Sequence, residues 1–240
     1  MKQPCQAKRS KSTGAGKYCV SLLQSSEEGT DCYDSDHKSF QTCFFQKGTH
    51  WMFEPKIDIQ QALAGLRKRE KGLITYEKIM SSYKNINLSE DMSFQRMFNG
   101  FYRIRRNEDW RKFYYENFEK WKNESTPTFP LILETFYRHT GRVECSFSSK
   151  MLATLCPDFP IWDSIVLDRL QLRLRGTNCE TKFQNALPLY EHILQWYQEF
   201  LPTQTAKSYI AAFDDAFPQY KHFTPTKKID FLLWASPKTK

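Results

Sequence analysis

The stretch GRVECSFSSKMLATLCPDFPIWDSIV, residues 141–166, decides how this chain is read. Gly141 marks a stop, and Ser146-Phe147-Ser148-Ser149 is a run of small polar residues that reads as a turn. Lys150 then opens a short helix, with Met151 to Cys156 as its apolar face and Pro157 as its end. Phe159-Pro160-Ile161-Trp162 reads as a buried loop. Asp163 stands where an N-cap belongs, just ahead of the apolar-periodic Ile165, Val166, Leu167 and Leu170. A lysine and a carboxylate are therefore each expected at a helix start, thirteen residues apart.

Working outward, Thr126-Pro127 opens a helix faced by Phe129, Leu131, Ile132, Leu133, Phe136 and Tyr137, which Thr140-Gly141 stops. Before it, residues 94–122 carry bulky aromatics interleaved with Arg96, Arg103, Arg105, Arg106, Arg111 and Lys112, punctuated at Asn99-Gly100 and Asn107. Such interleaving suits a surface that tracks phosphates and stacks a displaced base. It equally suits a helical hairpin with an aromatic core and solvated arginines. Helical periodicity also runs from Ile57 to Tyr83, with a break at Gly72. Downstream, a helix from Asp163 to about Leu174 is expected, then a long one ending at Pro202, then one over Tyr209–Phe217. The closing Lys227-Lys228-Ile229-Asp230-Phe231-Leu232-Leu233-Trp234 reads as a terminal helix or strand docked on the core. The sum is an all-α domain over residues 51–240, with about eight to ten helices and little strand, behind a poorly structured leader, residues 1–50.

A net charge of +8 and a pI near 9.0 favour a polyanionic partner. Seven cysteines without a CxxC pair read as reduced thiols of an intracellular, cytoplasmic protein. Their spacing supports no iron–sulfur cluster, and neither a metal nor a cofactor is expected. Gly14-Ala15-Gly16-Lys17 lacks the ending of a phosphate loop, since Tyr18 follows the lysine. No run of 18 apolar residues is present, so no membrane partner is expected.

The order SFSSK, PIWDS, KKIDFLLW resembles the catalytic segment of the helix-hairpin-helix DNA glycosylases, and is similar to bacterial members of the 8-oxoguanine glycosylase branch, over about residues 94–235. Serines stand at 146, 148 and 149 where the family has a glycine-containing hairpin, and the lysine–aspartate spacing is shorter than usual there. The resemblance implies a helical glycosylase-like fold with a degenerate helix-hairpin-helix. It makes Lys150 the nucleophile and Asp163 the catalytic carboxylate. The partner it implies is double-stranded DNA carrying a modified base, bound by a monomer. That base would be an 8-oxoguanine-like purine in repair, or a hypermodified base of phage DNA in an antiviral role. Ser146, Ser148, Ser149, Arg103, Arg105 and Arg106 would contact DNA, and Phe147 and Trp162 would line the base pocket.

The chemistry is coherent with those residues. Breaking an N-glycosidic bond develops positive charge on the sugar. A carboxylate ~4 Å away at an effective dielectric of ~20 offsets about 4 kcal/mol of it, or roughly a thousandfold in rate. A lysine nucleophile needs a neutral amine, and hence desolvation or nearby cations. Each residue also has a plain structural role, since an N-cap aspartate stabilises its helix by about 0.5–2 kcal/mol with no catalysis involved. Glu144 is a further candidate acid, and His139 and His222 read as surface histidines. The alternative is a non-catalytic helical nucleic-acid-binding or regulatory protein on the same scaffold.

Overall fold

The computed structural model describes Pro55, residues 57–125 and residues 127–236. The chain divides into two units, Met1–Thr49 and His50–Lys240, and all described residues belong to the second. The leader, the Gly14–Lys17 segment and four of the seven cysteines lie outside the described residues.

Among the described residues every regular element is helical and no strand occurs. The α-helices are α1 (Ile59–Arg67), α2 (Lys71–Ser82), α3 (Met92–Tyr102), α4 (Glu108–Asn123), α5 (Phe129–Thr140), α6 (Cys145–Leu155), α7 (Ser164–Arg169), α8 (Cys179–Phe200), α9 (Gln204–Ala216) and α10 (Pro225–Ala235). Most begin at a side-chain cap that the sequence announces. Asp58, Asp91, Asn107, Thr128, Asp163, Asn178, Thr203 and Thr224 each accept a hydrogen bond from a backbone N–H of the first turn. Asn178 and Thr181 form a reciprocal capping box at the start of the longest helix.

Several breaks differ from the sequence reading. Gly72 lies inside α2, and the chain turns at Lys68–Glu70 instead. Asn99-Gly100 does not interrupt α3, which continues to Tyr102 and stops where Arg103 turns left-handed at φ +55°. Buried Ile104 secures that stop by donating its N–H to the Asn99 carbonyl at 2.9 Å. The helix after Asp163 is only six residues long: Gln171 adopts φ +55°, so Leu172 and Leu174 leave the helix and lie against the core from an irregular segment.

The core is aromatic. Phe98 on α3 meets Tyr102, Tyr114, Tyr115 and Phe118, while Phe129 on α5 stacks on Tyr190 of α8 with ring centroids 3.8 Å apart. Helix α10 packs against α1, α7 and α9, and every residue from Thr226 to Leu233 is buried. A surface helix would leave its polar residues in water. This one carries Lys227, Lys228 and Asp230 into the interior, which costs free energy unless each finds a partner.

Candidate functional site

The first correction falls on the deciding stretch. Ser146-Phe147-Ser148-Ser149 is not a turn: helix α6 begins at Cys145, so all four residues are helical and Lys150 sits in mid-helix. Two of the three serines accommodate this because their hydroxyls find partners in the packed structure, while the buried Ser148 hydroxyl has none among the described residues. Ser149 donates to the Ser146 carbonyl at 3.1 Å and accepts the Trp162 N–H at 2.8 Å, and Ser146 accepts from the Lys150 amine at 2.9 Å. Ser148 and Ser149 are fully buried. They therefore do not form a phosphate-gripping hairpin, and the Lys150 amine reaches back to Ser146 in the first turn of its own helix.

What surrounds Lys150 instead is a closed, half-aromatic box. The residue is 6% exposed. Its Nζ donates to Ser146 Oγ and to the Tyr102 carbonyl at 3.3 Å, and lies 5.4 Å and 5.7 Å from the ring centroids of Phe147 and Tyr102. Among the described residues no carboxylate comes within ion-pair distance of it. Burial lowers the proton affinity of the amine below its ordinary value. The Lys227 and Arg103 charges push the same way, and Asp163 opposes them. The neutral amine that nucleophilic chemistry requires is thus favoured by desolvation and cationic neighbours.

Asp163 caps α7 as expected, accepting from the Ile165 N–H at 2.8 Å. The loop that carries it is held from two sides: Trp162 N–H is bonded to Ser149 at 2.8 Å, and Tyr190 donates to the Pro160 carbonyl at 2.9 Å. Trp162 is 6% exposed, with its ring parallel to Phe129 in the core, so it supports Asp163 from behind and presents no face to a pocket. Phe147 is half-buried between two cations, with Arg106 5.1 Å from its ring on one side and Lys150 near it as well.

The arginines sort differently. Arg103 and Arg105 are exposed. Arg106 is committed to Glu144, its Nε and Nη2 meeting the two carboxylate oxygens at 3.1 Å and 2.9 Å. Glu144 is thereby a buried structural carboxylate. Arg105, Arg106 and Arg142, with Asp109 and His139, line an open groove of about 420 Å³. His139 is exposed and stacks flat on Phe113, and His222 is an exposed neighbour of Glu77 at 3.6 Å.

The tail residues are the part of the site that sequence reasoning missed. Lys227 and Asp230 of α10 converge on the same interior region, their Nζ and Oδ2 3.8 Å apart. Lys227 Nζ lies 4.7 Å from the Tyr76 centroid, 5.1 Å from Phe231 and 5.9 Å from Tyr102, the ring that Lys150 also faces. Asp230 Oδ1 accepts a short hydrogen bond from Tyr197. Burial pushes the Asp230 carboxyl up to about 6 despite Lys227, Tyr197 and the Ile161 amide, all of which favour its ionised form. The signal in the sequence was a Lys-x-x-Asp pair inside an otherwise apolar terminal helix. Lys228 has a separate, structural role, tying α10 to Asp214 of α9 at 2.6 Å and to the Lys221 carbonyl at 2.8 Å.

Cys145 and Cys179 are free thiols. Burial pushes the Cys145 thiol up to about 12, which removes it as a competing nucleophile. Among the described residues no group of three or more His, Cys, Asp or Glu is placed to hold a metal ion, and no helix is long and apolar enough to cross a membrane. No protein-family model, curated protein or solved structure matches the chain.

Proposed function

We propose that this protein is a DNA glycosylase that excises a modified base with Lys150 as nucleophile and Asp163 as the stabilising carboxylate. One observation carries the reading: a buried amine with a lowered proton affinity and no ion-pair partner, in electrostatic contact with an aspartate fixed at a helix N-terminus. A lysine kept only for stability has no use for such a setting, since its desolvation is not repaid by an ion pair.

In the proposed reaction the Lys150 Nζ lone pair attacks C1′ of the deoxyribose. The N-glycosidic bond breaks, its electron pair leaves with the base, and the base takes up a proton. Loss of a proton from nitrogen and opening of the C1′–O4′ bond give an imine-type adduct, from which β-elimination releases the 3′ phosphate. Asp163 offsets the positive charge that develops on the sugar. The base is presented extrahelically, with half-buried Phe147 beside the amine as its contact. Arg105 and Arg142, exposed on the groove, take backbone phosphates. Trp162 stands behind Asp163 and contributes through its hydrogen bond to Ser149. The substrate is double-stranded DNA with an oxidised purine or a hypermodified base such as those of phage DNA.

The test is borohydride trapping on duplexes carrying 8-oxoguanine, uracil, hydroxymethylcytosine or glucosylated hydroxymethylcytosine. A covalent adduct that disappears in Lys150→Gln is expected on one of them. Abasic product without an adduct would keep the glycosylase and demote Lys150. Neither product on any duplex, with salt-dependent binding retained, would replace this reading with that of a non-catalytic DNA-binding protein.

A further inference from the structure

Two buried lysines face one ring. Lys150 approaches Tyr102 from α6 and Lys227 approaches it from α10, at 5.7 Å and 5.9 Å from the centroid. Their surroundings are unequal. Lys227 has a carboxylate, Asp230, at 3.8 Å and two further aromatic faces, Tyr76 and Phe231, all of which stabilise an ammonium ion. Lys150 also faces two rings, Phe147 and Tyr102, but has no carboxylate within ion-pair distance among the described residues, and its hydrogen-bond partners, a hydroxyl and a carbonyl, serve an amine as well as an ammonium.

We propose that Lys227 is a positioning residue for Lys150: backed by Asp230, it places a fixed positive charge in the interior beside Lys150, on the ring of Tyr102 that both lysines face. Asp230 has a second part in the same arrangement. By accepting from Tyr197 it joins α8 to α10, and the Ile161 amide of the loop that delivers Asp163 favours its ionised form. One buried carboxylate thus adjoins both the charge beside the amine and the loop of the second catalytic group. No proton passes through Lys227 during turnover. It contributes a fixed charge, as neighbouring cations do at other activated lysines.

The charged and titratable groups that face this region come from every element packed around it. They are Tyr76 of α2, Tyr102 and Arg103 at the end of α3, Asp163 before α7, Tyr197 of α8, and Lys227 with Asp230 of α10. Arg103 and Lys227 both disfavour a proton on Lys150, and Asp163 favours one. Only Lys227 of the two cations is buried, so its effect is the less screened by salt.

The inference rests on the reading of Lys150 as nucleophile, but its test needs no DNA. Full-length protein labelled with [15N]lysine is titrated by NMR, with the Lys150 Nζ signal assigned by its loss in Lys150→Gln. In Lys227→Gln, or Lys227→Met if the amide fails to fold, Lys150 should hold its proton at least tenfold more tightly, titrating about one pH unit higher. Lys227→Arg should restore the original behaviour. An unchanged Lys150 titration in the folded neutral variants overturns the proposal. The trapping reaction supplies the second readout: its pH profile should move alkaline by the same amount in Lys227→Gln and stay in place in Lys227→Arg. If no duplex is trapped but the NMR shift is observed, the reading of Lys150 as nucleophile fails while the lysine pairing stands. If a duplex is trapped but the titration does not move, the glycosylase reading stands and the lysine pairing fails.

Discussion

The carboxyl of Asp230 makes a quantitative statement about stability. It is buried and its pKa rises from an ordinary 3.8 to about 6 in the folded protein. Between those two values the native state binds more protons than the unfolded chain, so stability falls as pH rises through the window. The contribution is fully present below pH 3.8 and is lost above pH 6, and its size is about 3 kcal/mol at 1.36 kcal/mol per pH unit. For a domain of this size that is about 6–12 °C in Tm. Asp230→Asn fixes the side chain in a neutral, nearly isosteric state and removes the dependence. Every other carboxylate contributes to both proteins alike, so the difference between them isolates this group. Thermal or urea unfolding of the two, followed by far-UV circular dichroism from pH 3.5 to 7.5, should show the variant gaining about 3 kcal/mol on the parent across the window. Parallel curves would refute the account of Asp230 as a desolvated acid. A gap that grows in the parent's favour would mean that Lys227 and Tyr197 overcompensate burial, making the group a stabilising ion pair.

Two further substitutions separate structure from chemistry. Arg106→Met leaves Glu144 buried without its bidentate partner and should cost about 2–3 kcal/mol by denaturant unfolding. This lies at the low side of the range for buried pairs because Arg106 is 31% exposed, and Arg106→Met with Glu144→Met should recover most of it. Asp163→Ala should lose about 0.5–2 kcal/mol of cap stability, whereas Asp163→Asn keeps the cap to within a few tenths of a kcal/mol. Loss of base excision in the asparagine variant at unchanged Tm would assign the charge to chemistry. Retained excision would make Asp163 a cap and nothing more.

The all-helical character of the chain was legible without a structure because it is local. Asn107, Thr128, Asn178, Thr203 and Thr224 announce helix starts through hydrogen bonds spanning two or three residues, and Gly141 ends α5 because its φ of +66° suits glycine. Asp163 was placed correctly at the head of its helix on the same grounds. Errors arose where local preference met tertiary packing. Ser146, Ser148 and Ser149 read as a turn because serines compete for backbone hydrogen bonds. In the folded chain Trp162, from the following loop, and Lys150, one turn on in the same helix, occupy two of those hydroxyls and the helix forms through them. Asn99-Gly100 read as a break, yet the stop moved to Arg103 because buried Ile104 secures it there.

The sequence by itself therefore determined the helical character, the cap at Asp163 and the presence of one lysine and one aspartate in a suggestive order. Only the tertiary structure decided that the lysine is buried in mid-helix, that the serines before it face inward, and that Lys227 and Asp230 return from the chain's far end to stand beside it. The division has one physical cause. Caps and periodicity depend on neighbours along the chain, whereas the charge state of an amine depends on which groups exclude water from it, and those groups are brought together by packing.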